Sequence, residues 1–215
     1  LREFIAFTNS GYLTPHGVGR ISNQNLHNFI GADMIIISHP LFLNEAQRLA
    51  DFHKIHDTLS AVVVTPQEIY NEFSSGKQDI SALKHFTKMF YDRATTASEL
   101  PRYLLLFGDG SYDNKTRNTS TNSNFIPTYQ SDNSTDPTKS YVTDDFYGLL
   151  DDTEGDGLAQ LMDIGVGRFP AKTVSEAQAM VNKVINYETK TPLVIDGSNA
   201  SINGDWKNVV CFVAD

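Results

Sequence analysis

The chain has 215 residues, of which 40% are hydrophobic and 20% charged, with 17 basic against 26 acidic side chains and a net charge of −9. That balance argues against nucleic acid as a partner, because phosphate binding needs a basic face. No apolar run approaches the roughly 20 residues that a membrane helix requires, and the single cysteine, Cys211, excludes an internal disulfide.

The length suits one large domain or two small ones. The chain opens without a Met, a signal peptide or a basic leader, and it begins and ends mid-pattern, so it reads as a fragment of something longer. Residues 1–30 are the least helical part. Phe4 to Phe7 suit a strand, and Gly11, Pro15, Gly17 and Gly19 then break the chain repeatedly, as at the end of a preceding β-type segment or linker.

A regular alternation follows. Met34 to Ile37 is an apolar strand ended by Ser38-His39-Pro40. Leu43 to about His56 is predicted as a helix, with Leu43, Ala46, Leu49, Ala50 and His53 on one stripe. Ala61 to Val64 is a second buried strand. Thr65-Pro66-Gln67-Glu68 is a capping box with Pro at the first helical position, and Phe73-Ser74-Ser75-Gly76 closes that short helix. Asp79 caps a longer helix that buries Ile80, Leu83, Phe86 and Phe90. Tyr103 to Phe107 then forms a continuous apolar run stopped by Gly108-Asp109-Gly110, the pattern of a strand buried on both faces.

Strands alternating with amphipathic helices imply an α/β fold with a parallel sheet and right-handed crossovers. Polar groups just after the strand 103–107 fall at the sheet's carboxyl edge, where ligands collect in open α/β sheets. Asp109 and Ser111 are therefore candidate functional residues; Asp and Gly are equally the commonest turn formers. No strand is followed by Gly-x-Gly-x-x-Gly and no Walker sequence occurs, which argues against a dinucleotide or a P-loop nucleotide.

Residues 113–140 are rich in Asn, Ser, Thr and Asp, with Phe125, Ile126 and Tyr129 as anchors, and read as a long functional or mobile loop. Asp163 to Arg168 is a strand whose glycines suit close approach of another backbone. Thr173-Val174-Ser175-Glu176 is a second capping box, opening a helix to about Glu188. Pro192 to Asp205 reads as a polar link, and Val209 to Val213 as a last strand holding Cys211 in its core.

The densest acidic cluster runs from Asp144 to Asp156. Within it Asp152, Glu154 and Asp156 alternate before Gly157, like the start of an EF-hand loop whose carboxylates converge on Ca²⁺. Asp163 stands where the EF-hand has its bidentate Glu, Glu154 stands where it has Asp or Asn, and no helices flank the loop. The segment is thus a hard-cation loop of another kind or a solvated acidic turn. His53 and His56 are three apart on a helix, but a zinc site needs a further ligand that no spacing supplies. There is no Gly-x-Ser-x-Gly elbow for a serine hydrolase.

Taken together, Tyr103–Asp113, Tyr141-Val-Thr-Asp-Asp-Phe-Tyr-Gly148 and Ile164-Gly-Val-Gly-Arg-Phe-Pro170 resemble the gingipain family of cysteine peptidases, peptidase family C25. Gln24-Asn25-Leu26-His27, Tyr70-Asn-Glu-Phe-Ser-Ser-Gly76 and Gly108–Asp113 are similar to one branch of it, the sortases of the bacterial type IX secretion system. The resemblance implies a caspase-like parallel-sheet sandwich with helices on both faces, in two subdomains. Residues 31–100 would form the first and 101–215 the start of the second, catalytic one, truncated at its carboxyl end. The catalytic His and Cys would lie downstream, leaving no catalytic residue here and an inactive fragment. Family calcium sites at the Gly-Asp turn and in the following acidic loop imply structural Ca²⁺ on Asp109 and on Asp151, Asp152, Glu154 and Asp156. The implied enzyme sits at the cell surface with the outer membrane, alongside other outer-membrane proteins of the secretion system. It removes carboxyl-terminal sorting domains from protein cargo and joins the cargo to lipopolysaccharide. The rival readings are a non-catalytic, calcium-supported binding module of the same fold, and a divalent-metal hydrolase built on Asp109, Ser111 and the acidic loop.

Overall fold

A computed structural model describes residues 8, 11, 17, 19–114, 123–131, 135–136, 138–154, 160–189, 193–195, 198–200 and 210–212. The elements in order are β1 (Met34–Ser38), α1 (Leu43–His56), β2 (Ala61–Val64), α2 (Pro66–Phe73), α3 (Ile80–Arg93), β3 (Tyr103–Phe107), β4 (Tyr129–Gln130), β5 (Val142–Thr143), β6 (Gly165–Phe169), α4 (Val174–Glu188), β7 (Leu193–Ile195) and β8 (Ser198–Ala200).

Four strands make one parallel sheet in the order β2-β1-β3-β6. The sheet crosses the subdomain boundary expected near residue 101, since β1 pairs with β3 from Met34↔Tyr103 to Ser38↔Phe107. Side chains alternate along a strand, so each central strand feeds two cores. Ile35, Ile37, Leu104 and Leu106 face Ile69, Leu83, Phe86 and Phe90 of α2 and α3. Met34, Ile36, Leu105 and Phe107 face Ala46, Leu49 and Ala50 of α1 and Ala177 and Val181 of α4. Helices therefore cover both faces, as the family resemblance implied.

Local signals place the helices. Both capping boxes form, Thr65 with Glu68 and Thr173 with Glu176, and Asp79 accepts from the Ser81 amide. The α1 stripe buries Ala46, Leu49 and Ala50. Ala61 to Val64, expected to be buried, is only half-buried over its first three residues because β2 is an edge strand.

The segment Gln24–Phe29 is strapped to α2 and α3. Glu72 accepts from Gln24 Nε2 (2.9 Å) and from the Leu26 amide (2.8 and 3.0 Å), and it pairs with His27 Nδ1 at 2.7 Å. Asn71 Nδ2 donates to Gln24 Oε1, His27 stacks on Phe73 with centroids 4.6 Å apart, and Arg93 donates to the His27 and Phe29 carbonyls. The two short motifs around His27 and Glu72 are partners of each other.

Three sequence readings change. The link expected at 192–205 contains an antiparallel hairpin, β7 with β8. The loop 113–140 contributes β4, paired antiparallel with β5. Val210, Cys211 and Phe212 are exposed and not in a strand. An apolar strand is buried only where a neighbour pairs with it and a layer covers it, and no described residue does so here; the core reading of Cys211 is not realised. The strand expected at Phe4 to Phe7 lies outside the described residues, as does His16.

Candidate functional site

The turn after β3 is held from all sides. Gly108 has φ +153°, and a Cβ there would meet Phe125 Cβ at 3.0 Å and Ile126 Cγ1 at 3.1 Å, so the loop 123–128 lies directly on the turn. The Gly108 amide donates to Phe169 O and the Asp109 amide to Ala171 O, fixing the turn to the end of β6. Asp109 O accepts from the Phe125 and Ile126 amides. Asp109 Oδ2 accepts from Ser123 Oγ at 2.6 Å and lies 3.4 Å from Lys172 Nζ. Ser111 donates its amide to Asn124 Oδ1 and accepts the Asp113 amide on its hydroxyl, a turn geometry and not that of an activated nucleophile.

Arg168 on β6 ties several segments of this edge together through space. Its guanidinium binds both oxygens of Asp144 (Nε 2.7 Å, Nη2 2.8 Å) and donates to Gly108 O at 2.8 Å and Ile126 O at 2.9 Å. Tyr147, fully buried, donates to Pro127 O at 2.6 Å, and burial pushes its phenol well above the usual range. His39, just after β1, stacks on Phe125 with centroids 4.2 Å apart, and burial lowers its basicity.

The acidic loop forms a second assembly, beside α3. Asp151, Glu154 and Asp163 each offer an oxygen, all within 4.8 Å of one another. Tyr91 Oη donates to Asp151 Oδ1 at 3.0 Å, and the Leu150 amide donates to Asp163 Oδ2 at 2.7 Å. The hydrogen bond to Asp151, then burial and the charges of Asp163 and Asp151, push the Tyr91 phenol up to about 12. Glu154 Oε2 is buried and has no hydrogen-bond partner among the described residues. A buried carboxylate oxygen without a donor is costly, and a hard cation with oxygen ligands supplies what is missing. These three residues therefore form a group able to hold a metal ion.

The structure divides the five expected metal ligands. Asp151 and Glu154 come together; Asp152 points instead to Lys88 Nζ at 3.0 Å, beside that ammonium's bond to Leu150 O. Asp109 is engaged at the β3 turn, and Asp156 lies outside the described residues. Asp163, noted only as a poor match to the last EF-hand position, joins the cluster. The EF-hand frame starts at Asp152, which the structure draws to Lys88, so that frame reached Asp163 but mis-set its first ligand. His53 and His56 both pair with Asp57, at 2.6 and 2.7 Å, and do not converge on a metal site.

No helix among the described residues is long and apolar enough to cross a membrane. The sequence model of peptidase family C25 matches residues 27–215. Among solved structures, the chain is similar to the dimeric latent PorU from Porphyromonas gingivalis, at 37% identity and TM-score 0.71 over 83% of this chain. It spans only 18% of that protein's length. It is also similar to the Arg-specific cysteine proteinase gingipain R, at 17% identity and TM-score 0.51, covering 77% of this chain and 30% of that one, a likeness of fold alone. No curated protein sequence matches the chain. The family model covers most of the chain, and the chain belongs to peptidase family C25, the gingipain-like cysteine peptidases.

Proposed function

We propose that this chain is the amino-terminal part of a cysteine peptidase domain that works as a type IX secretion sortase. The observation that carries the reading is the 37% identity to PorU over 83% of the chain, supported by contact between the two segments that resemble the sortase branch, Gln24–His27 and Tyr70–Gly76.

The chemistry is acyl transfer. A thiolate attacks the scissile carbonyl of the cargo, and backbone amides hold the oxyanion. A histidine delivers a proton to the departing amine of the sorting domain, leaving a thioester that a nucleophile of lipopolysaccharide resolves. That nucleophile and base lie outside these residues. Here His27 is bound to Glu72, His53 and His56 to Asp57, and His39 to Phe125, and Cys211 is part of none of these pairs. This chain supplies scaffold: the β3 turn, the Arg168 contacts and an acidic loop in which Asp151, Glu154 and Asp163 hold Ca²⁺. Its partners are cargo proteins with carboxyl-terminal sorting domains, lipopolysaccharide and other outer-membrane proteins of the secretion system, at the cell surface.

The test is a thiol-directed covalent probe on the full-length protein, with the label located by mass. Labelling of one cysteine other than Cys211, with release of the sorting domain from a cargo protein, is expected. The 215 residues alone should show no thiol-dependent cleavage. A folded full-length protein that takes no label would overturn the reading in favour of a calcium-supported binding module.

A further inference from the structure

Resemblance to the gingipains implies calcium at two places, the Gly-Asp turn and the acidic loop. The two places differ in kind. We infer that the Gly108–Gly110 turn is built without calcium, its cation role being filled by Arg168 and Lys172. This goes beyond the calcium reading of the acidic loop and stands without it.

Calcium requires six to eight oxygens at about 2.3–2.6 Å. Among the described residues, four carbonyl oxygens and two side-chain oxygens around the turn already have donors, and the one buried oxygen without a partner is the Thr128 hydroxyl, a neutral group. Gly108 O and Ile126 O accept from Arg168 Nη1, and Asp109 O accepts two amides, from Phe125 and Ile126. Pro127 O accepts from Tyr147 Oη and from Arg168 Nη2, and Asn124 Oδ1 accepts from the Ser111 amide. Asp109 Oδ2 accepts the Ser123 hydroxyl and faces the Lys172 ammonium.

Charge decides the matter further. The Arg168 guanidinium is inserted among these carbonyls, with only 12% of its side chain exposed, and Lys172 adds a second positive charge. A divalent ion there would face two cations at short range in a partly dry site, where Coulomb terms are large. The Lys172 pair alone is weak, since that side chain is 60% exposed. Arg168 and the carbonyls it engages carry most of the exclusion. The acidic loop is the reverse case: three carboxylates converge and one buried oxygen has no donor.

The test counts calcium bound by the full-length protein in equilibrium dialysis. Asp109→Asn is expected to bind as many calcium ions per chain as the unaltered protein; one ion fewer overturns the inference. A second measurement needs no variant. Crystals of the unaltered protein soaked in terbium are expected to show no anomalous peak at the Asp109 carboxylate, and a peak there overturns the inference in the same way. Glu154→Gln is expected to lose one ion. If it loses none, the acidic-loop reading fails while the statement about Asp109 holds.

Discussion

Arg168 and Asp144 form a two-pronged ion pair, Nε to Oδ2 at 2.7 Å and Nη2 to Oδ1 at 2.8 Å, with side chains only 12% and 22% exposed. They lie 24 positions apart and join β6 to the segment before Tyr147, while the remaining guanidinium donors hold the β3 turn. Removing one partner of such a pair leaves the other charge uncompensated. Arg168→Ala should therefore cost about 3–5 kcal/mol in urea unfolding. Arg168→Lys keeps the charge but loses the fork geometry, and should recover only a minor part of that loss.

Gly110 has no room for a side chain. A Cβ would lie 2.6 Å from Thr128 Cγ2, 3.1 Å from Ile126 O and 3.2 Å from Arg168 Nη1. Gly110→Ala should destabilise by about 1–3 kcal/mol through overpacking. Thr128→Ser removes the nearest methyl, so the double variant should regain part of the loss in thermal melts. No regain would mean that the backbone contact with Ile126, and not the methyl, sets the limit.

Glu72 gives the strap at Gln24–Phe29 a pH dependence. Burial raises its pKa, but donors from Gln24, Leu26 and His27 outweigh burial and bring the carboxyl down from 4.5 to about 2. A depressed folded pKa means that the unfolded chain binds more protons in that interval. Stability is then fully present above about pH 5 and is lost as pH falls toward 2, by about 2–3 kcal/mol. Glu72→Gln should lower stability at neutral pH and flatten the melting temperature between those limits. An unchanged acid slope in the variant would assign the slope to other carboxylates.

Tyr147 is sealed against Pro127 O and cannot ionise without unfolding or moving. Burial pushes the Tyr70 phenol up as well, so phenolate absorbance should leave at least two tyrosines untitrated until the alkaline unfolding transition, and Tyr147→Phe should shrink that late step by one tyrosine. The substitution should cost about 0.5–1.5 kcal/mol, the net worth of one hydrogen bond. Pro127 O retains Arg168 as a partner, which keeps the loss at that level.

The legible part of the fold was local. Capping boxes at Thr65 and Thr173, the Asp79 cap and the apolar runs at 34–37 and 103–107 each depend on residues within a few positions, and each formed. Relations carried through space had no such signature. Arg168 reads as an ordinary charge until the sheet brings Gly108 and Asp144 to it, and Glu72 until α2 meets Gln24. At the acidic loop the residue types were visible and the grouping was not. Lys88, 64 positions before Asp152, draws that carboxylate away, while Asp163 folds back onto Leu150. Cys211 shows the opposite limit, an apolar run whose burial depends wholly on neighbours.

The parity of β3 has a further consequence. Leu104 and Leu106 report to one core and Leu105 and Phe107 to the other. Sliding β3 by a single residue against β1 would trade these sets, pushing the Phe107 ring under α3 and withdrawing it from Phe42 and Phe169. Neighbouring substitutions in this strand are therefore near-strangers energetically. Truncations at 104 and 106 should couple strongly, whereas those at 104 and 105 should simply add. In mutational terms the sheet is a wall with two tenants, and a double-mutant cycle along five consecutive residues would read out which room each one occupies.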